Sequence, residues 1–136
     1  GHASSIALGI ALHKKHSQII CVDGDGALLM HMGAMATIGN SNIKNLIHIV
    51  INNEAHESVG GFKTAAVNTD YVLLAKACGY KTVLSASSSD ELVAMLEDLN
   101  NILKIDLSLL KLNVLKVLAK SWVDQQLAQE KIKIIS

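Results

Sequence analysis

Asp25, held between Gly24 and Gly26, and the carboxamide pair Asn52-Asn53 are the residues best suited to do chemistry together. A carboxylate at Asp25, a side-chain oxygen from Asn53 and a carbonyl from the loop just beyond can approach one hard cation. Magnesium takes six oxygens at short, near-octahedral distances and commonly draws some of them from a phosphate. Gly26 and Ala27 open the segment after the carboxylate, where the free N–H groups of a helix start suit an anion. The set fits a magnesium-bridged diphosphate. Gly-Asp-Gly alone is also an ordinary turn, so the reading rests on its combination with Asn-Asn at this distance.

The elements between must bring the two groups together. The apolar run Ile19 to Val22 drives into Gly24 and reads as a buried strand ending in a sharp turn. Residues 27 to 51 then lead to the asparagines. Within them, Ala27 to Ile38 carries Leu28, Met32 and Met35, with Leu29 and Ala36 alongside, at helical spacing. Leu46 to Ile51 is long and apolar enough for a strand buried on both faces. In a parallel sheet the ends of these strands lie side by side, on the edge where ligands bind.

These residues resemble a known family. Gly-Asp-Gly, some 25 residues, then Asn-Asn is the motif of thiamine diphosphate enzymes. The segments Gly1 to Gly9, Gly24 to Gly33 and Asn52 to Gly61 are similar to decarboxylases of phosphonopyruvate and to the beta subunit of sulfopyruvate decarboxylase. The likeness is close from residue 1 to about 64 and looser to about 100. It implies thiamine diphosphate and Mg2+ as cofactors. It also implies Asp25, Asn53 and the Ala55 carbonyl as metal ligands, and Gly1, His2, Gly24, Gly26 and Ala27 beside the cofactor. His56 and Glu57, in the loop after the asparagines, are the catalytic candidates. The implied reaction is non-oxidative decarboxylation of a 2-oxo acid, phosphonopyruvate to phosphonoacetaldehyde and CO2 or the sulfopyruvate equivalent. In this family a second, pyrimidine-binding domain supplies a glutamate and the site forms between subunits. The sequence contains no such domain, so a partner domain or subunit in a homo- or hetero-oligomer is expected, and the chain alone is expected not to turn over. The alternative is a truncated, non-catalytic relic that keeps the fold.

The sequence also departs from the family. Glu54 stands where a glycine is usual, Phe62-Lys63-Thr64 replaces Gln-Pro-Thr, and Ala119 to Gln125 replaces an arginine-containing tail. The chain has no arginine, so a phosphonate or sulfonate would be held by lysine, histidine and backbone N–H groups instead of a guanidinium fork.

The 136 residues suit one domain, and half of them are hydrophobic. Zero formal net charge gives no reason to expect nucleic acid or an anionic membrane as partner. Cys21 and Cys78 lack the spacing of a metal site or disulfide frame and read as buried, reduced thiols. No run approaches the roughly 20 apolar residues of a membrane span, and a cytoplasmic location is expected.

Strand and helix patterns alternate throughout, which predicts an α/β fold: a three-layer, doubly wound, mostly parallel sheet. Gly1 to Leu12 reads as a helix with Ile6 and Ile10 among small residues, and His13 to His16 as its solvated end. Glu54 to Asn68 reads as a loop without periodicity. Thr69 is the expected N-cap of a helix over 70–78, with Gly79 as its stop. Lys81 to Ala86 is a strand candidate. Ser88 to Glu91 fits a capping box opening a helix whose inner side carries Leu92, Met95, Leu96 and Leu99. Leu109 to Leu118 reads as a further strand and Ser121 to about Ile132 as a polar helix. His31 is expected at the surface or packed, His48 as a hydrogen-bonded core residue, Lys63 as exposed, and Met30, Met32 and Met35 as core.

Overall fold

A computed structural model of the chain describes residues 1–105 and 114–117. Helix α1 (Ala3–His13) leads into strand β1 (Ile19–Gly24), followed by the short helices α2 (Asp25–Met30) and α3 (Gly33–Asn40) and strand β2 (Leu46–Ile51). A small antiparallel pair, β3 (Ala55–His56) and β4 (Phe62–Lys63), folds the following loop back on itself. Helix α4 (Tyr71–Ala77), strand β5 (Leu84–Ala86), helix α5 (Ser89–Ile105) and strand β6 (Val114–Val117) complete the described chain.

Four strands form one sheet in the order β1-β2-β6-β5, and every pairing in it is parallel. Successive side chains of a strand point to opposite faces, and here the two faces feed two apolar clusters. Cys21 of β1 and Leu46 and Val50 of β2 join a cluster with Ala7, Leu8 and Ala11 of α1, Leu28 of α2, Met35 and Ile38 of α3 and Tyr71 and Ala75 of α4. Ile49 of β2, with Leu84 and Ala86 of β5, meets Leu92 and Met95 of α5 instead. The sheet is thus covered on both faces, as the alternating pattern predicts. No helix among the described residues is long and apolar enough to cross a membrane.

Several local expectations change. The helix predicted over 27–38 is two helices. The His31 N–H closes α2 onto the Leu28 carbonyl, and Gly33, a poor helix former, opens α3. The break turns Met30 and Met32 outward, 69% and 40% exposed, whereas Met35 is fully buried; only the last is core. In α1 the buried residues are Ser4, Ala7, Leu8 and Ala11, and Ile6 is exposed. The N-cap of α4 is Asp70, whose carboxylate accepts from the N–H groups of Val72 and Leu73, and not Thr69, which is extended backbone one residue earlier. At α5 the capping box forms: Ser88 Oγ accepts the Glu91 N–H at 3.3 Å, and the Glu91 carboxylate accepts the Ser87 N–H at 2.7 Å. Leu96 is exposed, so the inner side of that helix is narrower than predicted. Both cysteines are free, Cys21 buried and Cys78 only half-buried. The side chain of Leu99, most of the predicted 109–118 strand outside β6, and the predicted 121–132 helix lie outside the described residues.

Candidate functional site

Register places the strand tips together. Ile19 to Gly24 pair in order with Leu46 to Ile51, so Gly24 stands opposite Ile51 and the next residues, Asp25 and Asn52, leave adjacent strands at the same edge. Below the tips the pair is pinned by polar side chains in the core. His48, fully buried, sits 3.0 Å through Nε2 from Asp23 Oδ2 and 3.0 Å through Nδ1 from the Tyr80 hydroxyl. His48 is therefore the hydrogen-bonded core histidine its strand position predicts. Burial drives the Tyr80 hydroxyl pKa far up and lifts the Cys21 thiol to about 12, the latter helped by the Asp23 carboxylate. Both groups stay protonated at neutral pH.

The Asp25 side chain is 1% exposed and its Oδ2 accepts a hydrogen bond from the hydroxyl of Thr64, itself buried. The same Thr64 Oγ1 accepts the Ala66 N–H at 3.2 Å. The Tyr71 hydroxyl reaches the Asp25 carbonyl at 3.4 Å, and burial and the nearby carboxylate raise its pKa to about 12. Loop and helix α4 therefore close over the start of α2. Nothing in the local sequence pattern marked Thr64 or Tyr71 as partners of Asp25, because both contacts bridge about 40 positions.

At the second tip, Asn52 Oδ1 accepts the Glu54 N–H and Asn53 Oδ1 accepts the Ala55 N–H, each at 3.1 Å. Asn53 Nδ2 lies 3.3 Å from Glu57 Oε1, which ties the exposed Glu57 to the tip. The Asn52 Nδ2 is buried and has no partner among the described residues. Glu54 takes φ +60, the left-handed region that favours glycine. The loop then reverses through Gly60 and Gly61, both at positive φ, so that β4 returns alongside β3.

His56 is brought to Asp25's side of the site. Its ring lies against the Gly26 Cα so closely that a Cβ there would collide with it, which explains why glycine stands at 26. Gly1 sits against Met30 and the Ala27 carbonyl, and the His2 ring stacks on His31 at 4.3 Å between centroids. Gly24 and Ala27 flank Asp25 at the start of α2. Lys63 is exposed on β4, as expected. The structure thus gathers Asp25, Gly26, Ala27 and His56 on one side, and Asn53, Ala55 and Glu57 at the neighbouring tip. Gly1 and His2 stand further along α2.

A family model described as "Thiamine pyrophosphate enzyme, C-terminal TPP binding domain" matches residues 1–104. The chain belongs to that family. Among curated proteins it is 41% identical over 92 residues to phosphonopyruvate decarboxylase of Streptomyces viridochromogenes, covering 68% of this chain and 23% of that protein. It is 44% identical over 88 residues to the sulfopyruvate decarboxylase subunit beta of Methanocaldococcus jannaschii, covering 64% of this chain and 46% of that subunit. The thiamine pyrophosphate-binding chain therefore spans about a quarter of the first relative's length and about half of the second's. Among solved structures, a thiamine diphosphate-dependent 4-hydroxybenzoylformate decarboxylase of Rhodococcus jostii superposes with a TM-score of 0.55 at 21% identity, over 83% of this chain and 22% of that one. At that identity the likeness carries the fold alone, and it agrees with the parallel α/β sheet described above.

The residues at the tips fit the group this family binds. Oxygens of a carboxylate, a carboxamide and a backbone carbonyl are the hard donors that magnesium prefers. The buried, unpartnered Asn52 Nδ2 is a donor whose isolation costs about 1–3 kcal/mol unless something satisfies it. Gly26 carries no side chain, and the space a Cβ would take is filled by the His56 ring, which therefore stands beside the first N–H groups of α2. Because α2 has only six residues, those N–H donors matter more than any helix dipole.

Proposed function

We propose that this chain is the diphosphate- and magnesium-binding half of a decarboxylase acting on phosphonopyruvate. In the overall reaction the bond to the carboxylate carbon breaks, CO2 leaves, a proton takes its place, and phosphonoacetaldehyde results. The observation that carries the reading is the pairing of β1 and β2, which sets Asp25 beside the Asn52-Asn53 tip. Asp25, the Asn53 side-chain oxygen and the Ala55 carbonyl would hold Mg2+, with the Gly26 and Ala27 N–H groups donating to the diphosphate. Gly24 gives the turn that starts α2, and Gly1 and His2 line the far side of that helix. Bound thiamine diphosphate supplies a sink for the electron pair left when CO2 departs.

His56 and Glu57 remain the residues nearest the site that can hold or move a proton. His56 lies over Gly26, and Glu57 is held by Asn53. With no arginine in the chain, His56, Lys63 and loop N–H groups are the donors available to a phosphonate. A pyrimidine-binding domain, from another segment or another subunit of an oligomer, completes the site. The separate beta subunit among the relatives supports a second reading, in which the substrate is sulfopyruvate. The two substrates share a 2-oxo acid with an anionic group one carbon away, and CO2 release from each, measured side by side in the assembled protein, separates them.

The decisive experiment is calorimetric titration of the protein with thiamine diphosphate and Mg2+, parent against Asp25→Ala. Loss of even an outer-shell partner costs about 10–100-fold in metal affinity, so loss of a ligand is expected to weaken binding by about a hundredfold or more. Equal affinity in parent and variant would overturn the assignment of Asp25 and with it the proposed site.

A further inference from the structure

Thr64 holds both arms of the candidate site at once. Its Oγ1 accepts the Ala66 N–H at 3.2 Å, and its hydroxyl hydrogen goes to Asp25 Oδ2. Its backbone N–H donates to the Glu54 carbonyl at 3.0 Å. Its methyl group packs beside Gly26, and a β-branched side chain so placed has little χ1 freedom left. One buried residue therefore joins the arm that carries Asp25 to the arm that carries Asn53 and Ala55.

Each arm gains from that link. A carboxylate that binds a cation through one oxygen is oriented by the donor its other oxygen accepts. At Asp25 the donor is Thr64, on Oδ2, and among the described residues Oδ1 accepts no hydrogen bond. On the second arm, Ala55 stands opposite Lys63 and His56 opposite Phe62. The Thr64–Glu54 bond falls one position before Ala55, so Ala55 and Lys63 form a non-hydrogen-bonded pair of the antiparallel ladder. The Ala55 N–H turns to Asn53 Oδ1 instead, and its carbonyl faces away from β4. A hairpin of two residues per strand does not by itself hold that carbonyl in place, and the link through Thr64 to the buried Asp25 carboxylate anchors it.

We propose that Thr64 is a positioning residue for the cation: it fixes the spacing between the Asp25 carboxylate and the Asn53–Ala55 turn, and with it the preference of the site for Mg2+ over Ca2+. Mg2+ demands near-ideal octahedral geometry at short distances, whereas Ca2+ accepts longer and more variable ones. Loosening the two arms therefore costs Mg2+ more than Ca2+. The proposal rests on the magnesium-binding reading given above and adds to it a residue that touches neither metal nor substrate.

The test titrates the intact protein, with its natural partner chains and saturating thiamine diphosphate, calorimetrically with Mg2+ and separately with Ca2+. Circular dichroism at the same temperature checks that each variant is folded. Thr64→Val is expected to weaken Mg2+ by about 10–100-fold and Ca2+ distinctly less, so the ratio of the two affinities falls. Thr64→Ser, which keeps the hydroxyl donor, should bind Mg2+ within about threefold of the parent. Thr64→Cys keeps only a weak donor and should fall between the two; it takes the place of valine if that variant does not fold. Gly39→Ala, which disturbs packing away from the site, should leave both affinities unchanged, separating lost stability from lost positioning. Unchanged Mg2+ affinity in the valine or cysteine variant, equal weakening of both ions, or a serine variant as weak as valine would each overturn the proposal. If Asp25→Ala abolishes Mg2+ binding while Thr64→Val leaves it intact, the role of Thr64 falls and the metal site stands. If Asp25→Ala binds like the parent, the metal site falls and the role of Thr64 with it.

Discussion

Replacing Thr64 separates two contributions that the structure places in one side chain. Thr64 is 6% exposed; its hydroxyl donates to the Asp25 carboxylate and accepts the Ala66 N–H, and its methyl group lies beside Gly26. Thr64→Val keeps the shape and removes the oxygen. A hydrogen bond to a charged group is worth about 1.5–3 kcal/mol, and the Ala66 N–H, on a residue 2% exposed, loses its acceptor at about 1 kcal/mol more. The expected loss is about 3 kcal/mol, a large share of a stability that usually lies between about 5 and 15 kcal/mol. Thr64→Ser keeps both hydrogen bonds and removes one methyl group, for about 0.8 kcal/mol. Equilibrium urea unfolding reads both. With a slope near ~1.5 kcal/mol per molar, valine should lower the midpoint by roughly 2 M and serine by roughly 0.5 M. If valine lowers the midpoint by no more than roughly 0.5 M, the buried Thr64–Asp25 bond contributes little and the reasoning is refuted.

Gly39→Ala should destabilise the protein by about 1–3 kcal/mol, because the added Cβ would meet the Cys78 carbonyl backbone, which cannot move aside as a side chain would. Alanine in a helix normally stabilises by about 1 kcal/mol relative to glycine, so a rise in the thermal midpoint would contradict the packing of α3 against the end of α4. Stability should fall as pH rises above 9.0, the ordinary value for a thiol, because the folded state holds the Cys21 proton up to about 12 and the unfolded chain releases it. That slope approaches about 1.4 kcal/mol per pH unit for one group, and Tyr71, raised from 10.0 to about 12, adds to it only above pH 10. In Cys21→Ala the decline between pH 9 and 10 should flatten; an unchanged decline in urea midpoints would refute the assignment.

What the sequence disclosed and what it hid follow from the range of the forces involved. The strands β1 and β2 were legible because an apolar run next to a glycine turn is a local signal, and parallel register then fixes which residues leave the sheet together. The capping box at Ser88 was legible for the same reason, being complete within four residues. The single helix predicted over 27–38 failed because periodicity continues through His31 and Met32 on paper, while the chain ends α2 at Met30 and starts again at Gly33. Asp70 displaced Thr69 as a cap because either residue can accept the N–H groups and only backbone geometry selects between them. The contacts of Thr64 and Tyr71 with Asp25 were invisible, since each depends on residues that come together only in three dimensions.

The division of labour at the site follows from which contacts are strong enough to fix it. β3 and β4 pair over only two residues each, and so short a hairpin cannot by itself hold a loop in place. The separation of the Asp25 and Asn53 tips must therefore be set from below. The Asp23–His48–Tyr80 chain is suited to that task because it joins β1, β2 and the residue before β5's approach through buried hydrogen bonds. Removing one partner of a buried hydrogen bond leaves the other unsatisfied at about 1–3 kcal/mol, whereas the Asn53–Glu57 contact above it is exposed and at 3.3 Å is long. Rigidity is thus concentrated beneath the tips, at Asp23 two residues before Asp25 and His48 four before Asn52, and in the loop above them Thr64 is anchored to Asp25 while the stretch carrying His56 and Glu57 is left to weaker contacts. That arrangement suits a site whose metal-binding oxygens need fixed spacing while the residues over them must admit a cofactor and a substrate.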